Sequence, residues 1–252
     1  MAIDEIMKPT TANIRRVSVW EKIYIIHDRS LLSEINEWLF SPATLSEHSL
    51  IQKTTTGRKP AYVFHYAGKD FVLRHFWRGG LVGRIVDDTY LWLGLSRARP
   101  VREWQLLSAL SRQGLPVPQP AALRIVRRGL SYRADLITVY LPDTHTLADC
   151  LTRGSLAPEA WRKIGAAIAR LHRSGACHAD LNARNILLQD GTGQIYVIDW
   201  DRGQLRKPQP GWQQNNLSRL RRSLDKLAAN LAPFHYQPDQ FDHLLAGYRA
   251  AI

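Results

Sequence analysis

Cysteine is scarce in this chain: Cys150 and Cys177 are the only two in 252 residues. They make no C-x-x-C pair, which excludes a disulfide framework and a cysteine-built metal knot, and each thiol is expected to be a small, reduced, buried residue. Cys177 directly precedes His178, but neighbours in an extended loop point in different directions, so no Cys–His nucleophile pair is expected. No run approaches the roughly 18 uninterrupted apolar residues that a membrane-spanning helix needs. The opening MAIDEIMKPT lacks the basic start and apolar core of a secretory signal. A cytoplasmic protein is the expectation. Internal repeats and low-complexity tracts are missing as well. Acidic residues are outnumbered, 22 Asp and Glu against 34 Lys and Arg, for a net charge of +12. That excess points to an anionic partner: nucleic acid, an acidic membrane surface or a phosphorylated substrate. Charge alone does not choose among them.

Aromatic residues are plentiful, with eight Trp, nine Tyr and six Phe, and 45% of the chain is apolar. Such a composition folds. The length permits one large domain or two small ones. In AYVFHYAGKDFVLRHF (61–76) two apolar stretches flank the turn signal AGKD, which predicts a β-hairpin. VREWQLLSALSRQG (101–114) sets Leu106, Leu107 and Leu110 on one helical face with Trp104 at its edge, and Gly114, Pro116 and Pro118 end it. Strands resume at about 121–127 and 131–140. LPDTHT (141–146) is the candidate linker, and it divides the chain into an unassigned segment 1–20, a β-rich lobe 21–141 and a mainly helical lobe 142–252.

Beyond the linker, Trp161, Ile164, Ile168 and Leu171 recur at helical spacing between Pro158 and Gly175. HADLNARN (178–185) follows. Two short apolar runs, ILL and IYVID, are then separated by QDGTGQ, a hairpin signal, and the second ends in DWDRG. Later Leu217, Leu220, Leu224 and Leu227 make a helical stripe, with Arg219, Arg221, Arg222 and Lys226 off it. That basic helix reads as a solvated face.

The order of these parts is informative: a helix, a loop with H-x-D-x-x-x-x-N, a hairpin, then an Asp closing a strand fourteen residues after the Asn. It resembles the protein-kinase-like superfamily, whose catalytic loop and metal-binding segment run in this order. The resemblance implies an α+β, bilobal protein-kinase-like fold. It makes Asp180 the acceptor of the attacking hydroxyl's proton and gives Asn185 and Asp199 the Mg²⁺ that rides on ATP. An Asp suits the base position because phosphoryl transfer has a loose transition state and the proton leaves late. Hard Mg²⁺ prefers oxygen ligands, which an Asn and an Asp supply. His178 is expected to steady the loop by bonding the backbone near Asp199. Asp201 is open between assisting a metal and anchoring the loop through Arg184 or Arg202.

Upstream, DFVLR (70–74) occupies the place of the kinase strand that bears a phosphate-binding Lys, yet the matching residue is Arg74. A guanidinium can still pair with phosphate and carboxylate, though its planar fork needs different room. Glu103, early in the next helix, is its expected partner. The phosphate-covering hairpin would be KTTTGRKPAYVF (53–64), where Gly57 and Arg58 stand in place of a glycine-rich run.

The wider chain resembles a narrower family, the Gram-negative lipopolysaccharide kinases. The carriers are TTTGR (54–58), FVLRHFWRGGLVGR (71–84), REWQLLSALSRQGLPVPQP (102–120), HADLNARNILL (178–188), YVIDWDRG (196–203) and NNLSRLRRSLDKL (215–227). The resemblance implies ATP- and Mg²⁺-dependent phosphorylation of a hydroxyl, usually the 4-hydroxyl, on the 3-deoxy-D-manno-octulosonic acid (Kdo) sugar of Kdo-lipid A. It places the work at the cytoplasmic face of the inner membrane, by a peripheral protein. A polyanionic, membrane-embedded substrate suits the basic charge, with Arg74, Arg78, Arg84, Arg97 and Arg99 as candidate surface cations. Arg78, Gly79 and Gly80 read as a cationic loop near the acceptor. His75, Phe76 and Trp77 read as an aromatic group for an interface or a sugar face, with core packing the alternative for Trp77.

Three rivals remain. Aminoglycoside and choline kinase-like enzymes share the loop pattern, but their cationic acceptors fit an arginine-rich chain badly. A nucleic-acid-binding module using RIVRRG and RLRRS would leave the loop constellation unexplained, so no nucleic acid is expected. An inactive kinase fold serving as a scaffold is suggested by Arg74 and the glycine-poor hairpin.

Overall fold

The structure, a computed structural model, describes residues 17–19, 22–55, 60–77 and 88–252. Packing divides it into a sheet unit, the described residues up to Ser108 with Gln119–Tyr140, and a helical unit, Ala109–Pro118 with Leu141–Ile252. Along the described residues the chain therefore changes unit three times, where the sequence suggested one crossing at 141–142. The extra excursion is the last turn of a helix and the Pro-bearing segment after it, which hydrogen-bond to later elements: Pro116 C=O accepts from Val197 N–H at 2.8 Å, and Gly114 C=O from the Arg170 guanidinium at 2.8 Å.

In the sheet unit the strands are β1 (Val17–Val19), β2 (Ile23–His27), β3 (Ile51–Thr54), β4 (Ala61–Tyr66), β5 (Lys69–His75), β6 (Tyr90–Leu91), β7 (Pro120–Arg128) and β8 (Ser131–Val139). They pair in the order β1-β2-β7-β8-β5-β4-β3, with β6 on β8, antiparallel throughout. The expected hairpin is present: β4 and β5 pair Phe64 with Phe71 around a two-residue turn. Ala67 and Gly68 in that turn both have positive φ, 50° and 75°, the twist that fits a tight hairpin. One sheet face carries Ile23, Ile25, Phe71, Leu73 and Ile137 in alternation, and Leu32, Leu39, Phe40 and Leu45 pack over it. Those four come from a 3-10 turn, Glu37–Phe40, the short helix α1 (Pro42–Glu47) and the segment before them. Helix α2 (Arg99–Arg112) buries Val101, Trp104, Leu106, Leu107 and Leu110. The leucine stripe read from the sequence is its core face.

The helical unit opens with β9 (Thr144–Thr146), so half of the expected linker is a strand, paired to β11 (Ile186–Gln189). Thr146 also caps α3 (Leu147–Arg153), its Oγ1 accepting from Asp149 N–H at 3.0 Å. Helix α4 (Pro158–Arg173) begins on proline and buries Trp161, Ile164, Ile168 and Leu171. It crosses α6 (Gln240–Ala251) at two glycines. A Cβ on Gly165 would lie 2.0 Å from Leu244 O, and one on Gly247 2.1 Å from Arg162 O, so only hydrogen fits at either place. After β10 (Ala176–Cys177) comes the polar loop. β11 then pairs with β12 (Ile195–Val197), and β10 pairs with β13 (Gln204–Leu205). Helix α5 (Pro210–Asn230) buries Leu217, Leu220 and Leu224. No described helix is long and apolar enough to cross a membrane.

Candidate active site

His178 is the hub of the loop. It is 2% exposed. Its ring Nδ1 accepts from Asp180 N–H at 3.0 Å, which leaves the proton on Nε2 to be donated to Ile198 C=O at 3.0 Å. Burial pushes its pKa down, against the Ile198 hydrogen bond and the Asp199 and Asp180 charges, which raise it. The ring meets Trp200 edge-on at 4.7 Å. A neutral imidazole thus ties the residues before Asp180 to those before Asp199.

Asn185 makes a second tie. Its Nδ2 donates to Asp180 C=O at 3.0 Å, and its own C=O accepts from Ile198 N–H at 2.9 Å. This orients the amide so that Oδ1 faces no protein donor among the described residues. Asp199 is exposed, and its φ of 61° is uncommon for a side chain other than glycine, though Asp tolerates it better than most. That backbone turns the chain sharply straight after β12. Asp201 follows, half-buried, in a turn closed by Gly203 N–H to Trp200 C=O at 2.8 Å.

Asp180 is held but not hidden. Oδ1 accepts from Arg219 at 3.2 Å and Oδ2 from Asn182 Nδ2 at 3.2 Å, with the side chain 64% exposed. Arg219 corrects the solvated-face reading of the basic helix, for it reaches the loop. Asn216, one turn earlier, is 6% exposed: its Oδ1 accepts from His178 N–H at 3.1 Å and its Nδ2 donates to His178 C=O at 3.0 Å. One turn later Ser223 Oγ accepts from Ala183 N–H at 3.3 Å. Residues 216, 219 and 223 lie on one face of α5. Sequence reasoning followed the leucine stripe and missed this polar stripe beside it, although its spacing was visible. Arg221 lies over the Phe241 ring at 5.7 Å, and Arg222 is exposed.

In the sheet unit, Arg74 on β5 bonds Glu103 on α2 at 2.5 Å, and Glu103 is 3% exposed. The guanidinium also lies 4.9 Å from the Phe76 ring centroid. Arg74 therefore does not belong with the surface cations. Arg99 sits over Tyr90 at 5.0 Å, leaving Arg97 exposed. The aromatic group is corrected too: Phe76 is buried, His75 Nδ1 bonds Asp135 at 2.7 Å, and Trp77 is half-buried with its ring against His75. Strand pairing and core packing consume a group expected at an interface. Strands β3 and β4 pair as the covering hairpin requires. Gly57 and Arg58 at its tip, and Arg78, Gly79, Gly80 and Arg84, lie outside the described residues.

Among the described residues no three His, Cys, Asp or Glu side chains gather as a metal cluster. Among the oxygen donors that the loop carries are the Asn185 amide oxygen and the Asp199 carboxylate. Oxygen donors of this kind fit Mg²⁺, which keeps waters and takes further oxygens from phosphate.

A buried His steadying an exposed Asp, with an Asn and a second Asp fourteen residues further on, matches the loop pattern of phosphotransferases of the kinase class. Residues 46–248 match the model of the lipopolysaccharide kinase (Kdo/WaaP) family, and the chain belongs to that family. Proteins named 3-deoxy-D-manno-octulosonic acid kinase are similar to it. The one from Stenotrophomonas maltophilia strain K279a is 41% identical over 85% of each chain. That of Xylella fastidiosa strain M12 is 41% identical over 81% of this chain and 80% of its own. That of Xanthomonas campestris pv. campestris strain B100 is 42% identical over 82% of each. Among solved structures the Cydia pomonella granulovirus kinase PK-1 is similar at TM-score 0.42 and 18% identity, covering 65% of this chain and 55% of that one.

Proposed function

We propose that this protein transfers the γ-phosphate of ATP to the Kdo sugar of Kdo-lipid A, at the 4-hydroxyl, in lipopolysaccharide core biosynthesis. The observation that carries the reading is the exposed Asp180 carboxylate, set by His178 and Asn185, in a chain whose relatives carry the Kdo kinase name. Asp180 orients the sugar hydroxyl and takes its proton as the bond to phosphorus forms. Arg219 and Asn182 each donate to one of its oxygens and so hold the carboxylate in one rotamer. Asn185 Oδ1 and Asp199 hold Mg²⁺, which when bound offsets charge on the phosphate oxygens. Arg74, kept in place by Glu103, supplies the cation for the nucleotide phosphates that a lysine supplies in protein kinases, with Gly57 and Arg58 over the nucleotide. Asp201 braces the turn behind Asp199. The acceptor side falls to Arg78, Gly79, Gly80 and Arg84. The protein works as a peripheral protein on the cytoplasmic face of the inner membrane, where its charge meets the anionic lipid.

The test is transfer from γ-labelled ATP with Mg²⁺ to Kdo-lipid A, beside lipid A lacking Kdo and an aminoglycoside, with Asp180→Ala as the blank. Label on Kdo-lipid A alone is expected, with Asp180→Ala at least about a hundredfold slower. Label on the aminoglycoside alone, or full activity in Asp180→Ala, would overturn the reading.

A further inference from the structure

The sheet unit carries an apolar cluster that phosphate transfer does not use. Leu91, Leu93 and Leu130 are 64%, 61% and 77% exposed. Backbone pairing gathers them: Leu91 is the cross-strand neighbour of Ser131, and Trp92 N–H donates to Leu130 C=O at 2.8 Å. On β6 Leu91 projects to the face opposite its neighbour Trp92, and Leu93 follows at a bend. The indole stacks on Tyr24 at 5.5 Å and meets Tyr132 edge-on at 5.8 Å, so it anchors the segment while the leucines stand clear.

Cations neighbour the cluster along the chain: Arg127 and Arg128 end β7 just before Leu130, and Arg97 lies four positions after Leu93. Arg127 lies over the Trp92 ring at 5.1 Å, its Nε bonded to Gly129 C=O at 2.9 Å. Arg97 and Arg128 are exposed and have no carboxylate partner among the described residues. The nearby Asp88 is already engaged by Arg133 at 2.9 Å and His75 at 3.5 Å. Exposed leucines beside unopposed guanidinium groups are a combination that water does not favour, and its complement is a layer of hydrocarbon under a layer of negative charge.

We propose that Leu91, Leu93 and Leu130, flanked by Arg97, Arg127 and Arg128, seat the sheet unit on an anionic lipid bilayer. The leucines enter the boundary between headgroups and acyl chains, and the arginines stay at headgroup level against phosphate. Three leucines offer far less than the roughly 800 Å² per partner of a standard protein interface, whereas shallow, reversible insertion needs only a few apolar tips backed by charge. The surface deepens the reading of a membrane-embedded acceptor and rests on it only for its purpose.

The experiment is sedimentation of the full chain with phosphatidylcholine vesicles and with vesicles that also hold phosphatidylglycerol, without nucleotide or acceptor. The wild type is expected to sediment with the anionic vesicles and to be released by high salt. Leu91→Ser with Leu130→Ser, and separately Arg97→Gln with Arg128→Gln, should each lower the partition coefficient roughly tenfold or more. Unchanged partition in both double variants would overturn the proposal. So would lipid-free self-association that the leucine variant abolishes, since it would assign the leucines to a second copy. Transfer to a water-soluble Kdo acceptor, expected unchanged in the leucine variant, separates the two readings. If the wild type labels no Kdo acceptor the proposed function fails, and the vesicle result stands by itself.

Discussion

The two units treat charge in opposite ways. In the sheet unit the buried carboxylates meet basic side chains directly: Glu103 pairs with the Arg74 guanidinium, and Asp135 with that of Arg124, at 2.8 Å, and with a ring nitrogen of His75. In the helical unit two imidazoles, His172 and His178, are buried, each 2% exposed, while the carboxylates Asp180 and Asp199 stand in solvent. A carboxylate removed from water needs a partner cation to remain ionised, and the pair then serves architecture or presents its cation. A carboxylate that must take a proton from an incoming hydroxyl has to stay reachable. The unit that holds it gains its rigidity from neutral groups instead.

The largest expected break of this contrast is Arg74→Ala. It removes the guanidinium facing buried Glu103 and should cost about 3 to 4 kcal/mol of stability, read from denaturant unfolding. Acid should act on the other unit. Burial holds the His172 pKa down to about 4 from 6.5. Between those values the unfolded chain binds a proton that the folded chain refuses. Stability is therefore full above pH 6.5 and falls on acidification towards 4, by roughly 3 kcal/mol from this residue. His178, also pushed down by burial, adds in the same direction. Melts from pH 7 to 4 should show the slope, and His172→Gln should flatten it.

Asn216→Ala comes next. It strips both partners from the buried backbone of His178, costing about 2 kcal/mol and slowing transfer by loosening the loop. The smallest stability effect belongs to Arg219→Ala, below about 1 kcal/mol because the pair with Asp180 is half exposed on one side and more on the other. Its effect should appear in kcat instead. Equal stability losses for Arg74→Ala and Arg219→Ala would erase the contrast between the units.

Much of this was readable beforehand because it depends on near neighbours. The β4–β5 hairpin follows from alternation around Ala67 and Gly68, and α4 from Pro158 and the spacing of its apolar residues. His178, Asp180 and Asn185 stand out because three loop residues share eight positions. The aromatic run His75, Phe76 and Trp77 misled, since sequence does not say that β8 presents Asp135 directly opposite His75. LPDTHT looked like a linker because a three-residue strand leaves almost no pattern of its own.

By itself, then, the order of residues determined the longer elements, the polar loop and its spacing to Asp199, since those rest on dihedral preference, periodicity and side chains a few positions apart. Only the tertiary structure decided which distant groups meet. Asn216 reaches His178 across 38 positions and Arg219 reaches Asp180 across 39. Leu91 and Leu93 come beside Leu130, and Ala109–Pro118 packs with the helical unit. Such contacts are set by which faces can be buried together, a property of the whole fold that no local stretch of chain carries.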